Sequence, residues 1–385
     1  MRRHRFSLAV LVIALMLVSI TTTPTTVVAL DPLAPPSVTA QALYVYDATL
    51  DVVLFELNAD ERRSPASLTK IGTALMVSRL APDVSQLVTV DPADVLTAED
   101  GQSLMALQAG DVISIESLLY GLLLNSGNDA ANTLARYLGQ QLLATDGGTG
   151  DPIDRFIAEM NAWFLDIGLQ NTHFMNVEGL YNPDHYTSAR DLGILAGMLL
   201  DNPLLAMIVS TAEITVTSEL GNSYTLQNTN QLLGEPGITG MKTGTLPEAG
   251  ACLVASKTSP AGTNLVSVTL GSDIEFSEDG IQDAQTDQRF NDARTIFGAL
   301  EADYAWIDPA SDDSLAGLSA ELDVWDVALA NDGPMIVHTS QLPELRYVLR
   351  LGPPVAPNQE AGALLVYDGS TLIESRPVVQ MDLAA

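Results

Sequence analysis

Lysine is nearly absent from this chain. Only three lysines occur among 385 residues, and arginine supplies the other fourteen of the 17 basic residues. Two of the three lysines lie in short motifs that also contain hydroxyl residues, Ser67-Leu68-Thr69-Lys70 and Lys242-Thr243-Gly244. Arginine keeps its proton in proteins, whereas a lysine can release one and then act as a base beside a nucleophile. The placement of lysine therefore indicates chemistry at these two motifs.

Histidine and cysteine are scarce as well. The chain has one cysteine and four histidines: Cys252, His4, His173, His185 and His338. So few nitrogen and sulfur ligands argue against a zinc peptidase and against a Ser-His-Asp triad, and we expect no metal and no other cofactor. A single cysteine forms no intrachain disulfide, and we interpret Cys252 as a small buried hydrophobic residue. His173 and His185 are interpreted as loop and packing residues.

Positive charge is in short supply overall. The sequence has 48 acidic residues against 17 basic ones, which gives a formal net charge of −31. Because nucleic-acid phosphates require a positive partner, this balance excludes a nucleic-acid-binding protein and disfavours contact with anionic membranes. Apolar residues make up 47% of the chain, which is ample for a buried core.

The N-terminal segment has the pattern of an export signal. Three arginines among the first five residues precede an apolar run at 6–20, and Val27-Val28-Ala29 places small residues where a signal peptidase reads them. We predict a signal peptide at 1–29, a Pro-rich linker at 30–40, and a location outside the cytoplasm, in the cell wall or periplasm. The alternative is a retained anchor, since residues 27–30 can lengthen the apolar run.

The order of apolar patterns predicts an α+β protein. Alternating residues predict a hairpin at 42–46 and 52–57, helical spacing extends from 68 to 200, and strand patterns resume from 213 to 270 before a closing helix at 289–300. This order predicts a first domain at 41–300, in which helices cover an antiparallel sheet and a helical region is inserted between parts of that sheet. Ser67 is predicted at the start of the first helix.

Residues 301–385 have a different pattern. Short apolar runs at 322–329, 335–339, 346–351, 363–367 and 371–378 read as strands. We predict a small C-terminal β-rich domain there, similar to a β-sandwich.

The spacing of Ser67 and Lys70 suits nucleophilic catalysis. Residues three apart on a helix share a face, so the amine can accept the proton of the hydroxyl. An ordinary lysine is a poor base at neutral pH, and its pKa must be lowered by burial or by a second cation. Lys242 is a candidate for that second cation.

Two further motifs contain residues that can assist Ser67 and Lys70. Ser126-Gly127-Asn128 lies at a break between two predicted helices, where the serine can relay a proton and the asparagine can fix Lys70; a helix N-cap is the structural alternative. Lys242-Thr243-Gly244 offers a fixed cation, a hydroxyl that can bind a carboxylate, and a glycine that permits close approach.

In this order and spacing the three motifs resemble the signature of penicillin-binding proteins and class A β-lactamases, with serine as nucleophile. More closely, the chain resembles the serine D-Ala-D-Ala carboxypeptidases, the low-molecular-mass penicillin-binding proteins. The resemblance covers about residues 41–300 and extends weakly to 362–369. The narrower match rests on the segments 126–131 (SGNDAA), 160–161 (MN), 168–169 (GL), 172–174 (THF), 176–180 (NVEGL), 185–186 (HY), 189–191 (ARD), 240–244 (GMKTG) and 248–250 (EAG).

The resemblance implies a β-lactamase/transpeptidase-like catalytic domain and a catalytic group. Ser67 would attack the carbonyl between two D-alanines of a peptidoglycan stem peptide, and Lys70 would take its proton. Ser126 would pass a proton to the departing amine, while Asn128 would orient Lys70 and a substrate amide. β-Lactam antibiotics would then be covalent inhibitors.

The resemblance also implies a substrate-binding group. Lys242 and Thr243 would hold the terminal carboxylate, with Gly244 leaving room for it. The backbone amides of Ser67 and Thr245 would hold the oxyanion. Arg289 resembles the family's further arginine near the carboxylate, and a structural ion pair is its alternative role.

Two departures from the family pattern stand out. Many members end in an amphipathic helix that binds the membrane, and because this chain stops at 382–385 we expect no C-terminal anchor. Relatives have an aromatic residue or histidine and then threonine after the Lys-Thr-Gly motif, where this chain has Thr245-Leu246. The substrate preference is therefore expected to differ.

Competing functions use the same residues. A serine β-lactamase would need an added glutamate for fast deacylation, and the nearest candidate, Glu178, is interpreted as an ordinary loop carboxylate. A DD-endopeptidase would use the same site with a roomier cleft. A non-catalytic wall-binding module is disfavoured because Ser67, Lys70 and the other motif residues are intact.

Overall fold

Strands and helices alternate in blocks along the chain. The computed structural model describes residues 30–97, 102–277, 282–353 and 355–382. Its strands are β1 Ala42–Asp47, β2 Val52–Leu57, β3 Leu87–Thr89, β4 Val112–Ser114, β5 Glu213–Thr217, β6 Ser223–Gln227, β7 Ile238–Leu246, β8 Gly250–Thr258, β9 Asn264–Ser272, β10 Glu275–Phe276, β11 Gln282–Asp283, β12 Tyr304–Ile307, β13 Val327–Leu329, β14 Met335–His338, β15 Leu345–Leu351, β16 Glu360–Asp368 and β17 Thr371–Gln380. Its α-helices are α1 Thr69–Leu80, α2 Ile115–Leu123, α3 Asn128–Asp146, α4 Pro152–Asp166, α5 Ala189–Asp201, α6 Pro203–Ser210, α7 Arg289–Asp303 and α8 Leu318–Val324.

A five-stranded antiparallel sheet forms the centre of the first domain. Its strand order is β2-β1-β9-β8-β7, so the predicted hairpin β1/β2 lies at one edge and β7, with the Lys-Thr-Gly motif, at the other. β1 joins β9 across about 220 residues of chain, which confirms that the helical region is inserted between parts of one sheet. Because β7 is an edge strand, one row of its backbone groups faces away from the sheet.

The sheet separates two hydrophobic cores. Along β1, the side chains of Tyr44 and Tyr46 pack with helices α1 to α6, while Leu43 and Val45 pack with α7 on the opposite face. This division follows from the alternation of side chains along a strand. The predicted arrangement of helices on both faces of an antiparallel sheet is therefore confirmed.

Local sequence explains where several helices begin. The side chains of Ser114, Asp151 and Ser188 accept backbone N–H groups at the starts of α2, α4 and α5. Such caps satisfy amides that have no partner within the helix. Beyond the predicted elements, the structure has helix α6 and the short strands β3 and β4. Three-residue strands are too short to give a readable alternation.

Residues 304–382 form a second unit with its own core. A four-stranded sheet, β13-β17-β16-β15, faces the two-stranded sheet β12-β14, and Val337, Leu364, Val366 and Val378 are buried between them. The predicted strand at 322–329 is wrong in its first half. There the chain forms α8, because Leu318 and Leu322 lie four apart and bury one helical face in this core.

The two units meet along the outer face of β1 and β2. The hydroxyl of Tyr304 hydrogen-bonds the carbonyl of Leu54 and accepts the amide of Leu33 at 2.9 Å. The indole of Trp306 donates to the buried carboxylate of Asp47 at 2.8 Å. Within the described residues no single helix is long and apolar enough to cross a membrane; α5 and α6 together meet that test but are bent by 103°.

Candidate active site

The turn before α1 presents Ser67. Residues Ala66–Leu68 form a single 3-10 turn that leads directly into α1, so Ser67 lies at the predicted helix start. Ala66 has a φ of 48°, in the left-handed region that residues with a side chain rarely adopt. The amide of Leu68 donates to the carbonyl of Pro65 at 3.2 Å and closes the turn. Ser67 is half-buried, in contrast to its fully buried neighbours Ala66 and Leu68.

Lys70 is the centre of the site. It is 0% exposed, and its Nζ lies 3.1 Å from Oγ of Ser67, 2.7 Å from Oδ1 of Asn128 and 2.7 Å from the carbonyl oxygen of Glu178. Burial lowers the pKa of Lys70 to about 7, against the opposing effect of nearby carboxylates. Desolvation, one of the two causes considered from the sequence, is the main cause of this lower pKa.

Ser126 and Asn128 enter the site from the loop between α2 and α3. Asn128 is the first residue of α3, and its Nδ2 donates to Oε1 of Gln102 at 2.8 Å, which turns Oδ1 toward Lys70. Ser126 has a φ of 59° and is 3% exposed. Its Oγ is buried without a hydrogen-bond partner in the described parts of the chain, and α3 has no side-chain cap. The N-cap alternative is therefore wrong for Ser126.

Lys242 lies on β7 and is fully buried. Its Nζ donates to the carbonyl of Thr243 at 2.9 Å. Burial, followed by the charges of Lys70 and Arg289, holds the pKa of Lys242 well below its ordinary value. The hydroxyl of Thr243 is paired with that of Thr229 at 2.7 Å.

Gly244 lets β7 approach the turn that carries Ser67, which is called the nucleophile turn below after the predicted role of Ser67. A Cβ on this residue would lie 2.8 Å from the carbonyl oxygen of Pro65 and 3.1 Å from the amide nitrogen of Ser67. A side chain there would push the strand away from the turn. The glycine is therefore required by the close packing of the two motifs.

Arg289 is buried behind the Lys-Thr-Gly motif. Its Nη1 donates to the carbonyls of Gly244 at 2.8 Å and Cys252 at 3.1 Å, and its Nη2 donates to Oγ1 of Thr245 at 2.6 Å. Its Nε forms an ion pair with Asp287 at 2.8 Å. The ion pair considered from the sequence is therefore present, and the role of Arg289 near a substrate carboxylate stays a prediction.

Glu178 contributes its backbone rather than its side chain. Its carbonyl accepts from Lys70, while its carboxylate accepts the amide of Val177 at 3.0 Å. The carboxylate is thus engaged within its own loop, in agreement with its interpretation as a loop residue.

The motifs in the sequence did not reveal five chemical groups that contact the site residues. They are the hydroxyls of Thr69 and Thr229, the amide of Gln102, the carbonyl of Glu178 and the imidazole of His185. His185 packs as predicted, but it also contacts Thr69 inside the Ser67-Lys70 motif. The resemblance of the segments 172–174, 176–180 and 185–186 to the family was the one sign in the sequence that this loop reaches the site.

Metal-binding side chains do not cluster where the structure is described: residues 30–97, 102–277, 282–353 and 355–382 contain no group of three His, Cys, Asp or Glu residues suited to a metal ion. Cys252 is fully buried in the sheet, and burial raises the pKa of its thiol. This agrees with its interpretation as a small hydrophobic residue.

Comparison with known proteins identifies the family. A family model described as D-alanyl-D-alanine carboxypeptidase, peptidase family S11, matches residues 30–274. The carboxypeptidase DacC of Escherichia coli is 32% identical over 93% of this chain and 88% of its own. The structure of penicillin binding protein 6B from E. coli has a TM-score of 0.67 at 27% identity, covering 91% of this chain and all of that one.

A smaller relative matches the first domain. The DD-transpeptidase of Streptomyces K15 has a TM-score of 0.59 at 31% identity, and covers 69% of this chain and 98% of its own. These matches confirm the α+β, β-lactamase/transpeptidase-like fold expected from the motifs. The chain belongs to the D-alanyl-D-alanine carboxypeptidase family of serine peptidases.

Proposed function

We propose that this protein removes the terminal D-alanine from peptidoglycan stem pentapeptides as a serine DD-carboxypeptidase, with Ser67 as its nucleophile. The family match and the relatives' activity support the reaction. The contact of 3.1 Å between Nζ of Lys70 and Oγ of Ser67 is the observation that carries the assignment of the nucleophile. A base at hydrogen-bond distance is what a serine needs to become reactive.

Lys70 is proposed as the general base. Two of its three contacts, Oδ1 of Asn128 and the carbonyl of Glu178, can only accept hydrogen bonds. A neutral amine has two hydrogens for these acceptors and one lone pair, which is left for the hydroxyl of Ser67. The lowered pKa makes this neutral form available near pH 7.

Ser126 and Lys242 are proposed to return the proton to the leaving group. As Oγ of Ser67 bonds to the carbonyl carbon, its proton goes to Lys70. When the bond to the D-alanine nitrogen breaks, that nitrogen takes the proton of the Ser126 hydroxyl, and Ser126 is reprotonated by Lys70, which becomes neutral again. The unpartnered Oγ of Ser126 suits this relay, because it has no competing partner in the described structure. Water then hydrolyses the ester on Ser67 and regenerates the hydroxyl.

The edge of β7 is proposed as the substrate-binding strand. Thr243 and the amine of Lys242 would hold the terminal carboxylate, and the buried guanidinium of Arg289 adds positive charge behind them. The amides of Ser67 and Thr245 would hold the oxyanion, and the close approach at Gly244 supports their nearness. Asn128 would hold Lys70 and a substrate amide.

The same proposal covers processing and location. The relatives support an enzyme that acts outside the cytoplasm on cell-wall peptides. We assign residues 1–29 to a cleaved signal peptide, 30–40 to a linker, 41–300 to the catalytic domain and 301–385 to the C-terminal β-rich domain. N-terminal sequencing of the exported protein tests the cleavage after Ala29; a mature chain that still begins at the arginine-rich segment would identify a retained anchor.

Intact mass spectrometry with benzylpenicillin tests the nucleophile. We expect the wild type to gain one covalent adduct that persists, and to release D-alanine from a peptide ending in D-Ala-D-Ala. Ser67→Ala should form no adduct, whereas Ser64→Ala, a control for a neighbouring serine, should react like the wild type. Rapid hydrolysis of penicillin with the peptide untouched would identify a β-lactamase, and reaction of cross-linked dimers alone would identify an endopeptidase.

A further inference from the structure

The peptide group between Ala66 and Ser67 has a constrained orientation. Ala66 adopts a left-handed φ of 48°, so this conformation must be held by contacts around it. In a trans peptide the carbonyl and the following N–H lie in one plane and point in opposite directions. Whatever holds the carbonyl oxygen of Ala66 therefore also aims the amide hydrogen of Ser67, one of the two proposed oxyanion donors.

A chain of hydrogen bonds holds that carbonyl oxygen. The hydroxyl of Thr69 donates to the carbonyl of Ala66 at 2.9 Å, and Oγ1 of Thr69 lies 2.8 Å from Nε2 of His185. Nδ1 of His185 lies 3.0 Å from the amide of Met175. All three of Thr69, Ala66 and His185 are buried.

The direction of every bond in this chain is determined. A backbone amide can only donate, so Nδ1 of His185 is an acceptor and the ring proton lies on Nε2. Nε2 then donates to Thr69, whose single hydroxyl hydrogen is left for the carbonyl of Ala66. Burial lowers the pKa of His185 to about 3, so the ring stays neutral and the order of donors is preserved over the working pH range.

Packing fixes the ring and its loop against the turn. His185 is 2% exposed and stacks on Phe174 with ring centroids 4.8 Å apart and planes 10° apart. Gly179, with a φ of 96°, packs so closely that a Cβ there would overlap the carbonyl oxygen of Ala66. The preceding residue, Glu178, binds Lys70 through its carbonyl. One loop therefore supports both the base and the nucleophile turn.

We propose that His185, acting through Thr69, is a positioning residue that aims the Ser67 amide at the oxyanion of the reacting carbonyl. The inference rests on the proposed function, in which Ser67 is the nucleophile. His185 touches no reacting atom. Its effect is geometric: loss of the chain frees the peptide plane to rotate, and the amide hydrogen then points away from the developing charge.

An ester substrate and its thionoester test this role. Sulfur accepts hydrogen bonds weakly, so an enzyme with aligned oxyanion donors acylates the ester much faster than the thionoester. We expect Thr69→Val and His185→Leu to lower this rate ratio by about tenfold or more. Thr69→Ser keeps the hydroxyl and should restore the wild-type ratio. Because the ratio is measured within one protein sample, it does not depend on how much of a variant is folded.

Thr73→Val is the matched control. Thr73 lies one turn further along α1, is equally buried, and donates to the carbonyl of Val177 at 2.8 Å, but it does not contact Ala66. It should keep the wild-type ratio. An unchanged ratio in Thr69→Val, or an equal fall in Thr73→Val, would overturn the inference. A wild type that forms no adduct on Ser67 would instead overturn the proposed function.

Discussion

The catalytic cleft and the C-terminal unit differ in how completely their buried polar side chains are hydrogen-bonded. The cleft buries two lysines, a serine, an asparagine and an arginine: Lys70, Lys242, Ser126, Asn128 and Arg289. Beyond residue 303 the described structure buries one polar side chain, Arg376, whose guanidinium donates to the carbonyls of Asn331, Gly333 and Pro334 and contacts Glu374.

The difference lies in how fully these groups are satisfied. Arg376 has acceptors on all three of its nitrogens. Within the described residues, Oγ of Ser126 has no partner, and Nζ of Lys242 donates to the neighbouring carbonyl of Thr243. Buried polar groups without partners destabilise a fold, and they are kept where a ligand can satisfy them. In the proposed function, substrate supplies the partners that Ser126 and Lys242 lack, whereas the partners of Arg376 all lie within its own unit.

The largest effect on activity is expected from Lys70→Arg. Arginine keeps the charge but cannot accept the proton of Ser67. Acylation by benzylpenicillin should fall by about 10³-fold or more, as measured from the rate of adduct formation. Lys257→Arg is the control, since the third lysine pairs with Glu301 at the surface and should keep the wild-type rate. Equal rates in both variants would mean that Lys70 is not the base.

Gly244→Ala should reduce activity less strongly. The added methyl group would meet the carbonyl of Pro65 and the amide of Ser67, and it would separate β7 from the nucleophile turn. A displacement of this kind can cost about 100-fold in acylation rate. Gly298→Ala on α7 is the control, because no atom lies within 4 Å of its added Cβ. A Gly244→Ala variant with the wild-type rate would show that the two motifs need not be in contact.

The pH dependence of acylation gives a smaller and graded effect. The active form of Lys70 is the neutral amine, and the pKa of about 7 means that protonation removes it as the pH falls. The rate should therefore be constant well above pH 7 and drop about tenfold per pH unit below it. His185 stays neutral across this range because its pKa is lowered to about 3. A flat profile between pH 5 and 8 would contradict the role of a buried neutral lysine.

The sequence motifs predicted the side chains of the cleft better than they predicted the contacts that hold these side chains in place. Ser67 and Lys70 are three residues apart at the start of a helix, so their contact can be predicted from the sequence. The carbonyl of Glu178 and the bond from His185 to Thr69 are not, because they join distant segments through backbone atoms and loop packing. In the C-terminal unit, the alternating residues at 322–329 had the pattern of a strand. The first of them form helix α8 instead, because Leu318 and Leu322 pack into the core.

The smallest effect on activity is expected from Arg376→Met, although it should destabilise the C-terminal unit. The methionine fills part of the space but leaves the carbonyls of Asn331, Gly333 and Pro334 without their donor, at a cost of about 2–4 kcal/mol in the free energy of unfolding. Urea unfolding, monitored through hydrogen exchange of the amides in β16 and β17, measures this loss. Arg350→Met, at an exposed arginine of β15, is the control and should change stability little. The acylation rate should stay within about twofold of the wild type in both variants, because none of the hydrogen-bond partners of Arg376 belongs to the cleft. A large loss of acylation in Arg376→Met alone would mean that the C-terminal unit supports the cleft, and the division of labour between the two regions would not hold.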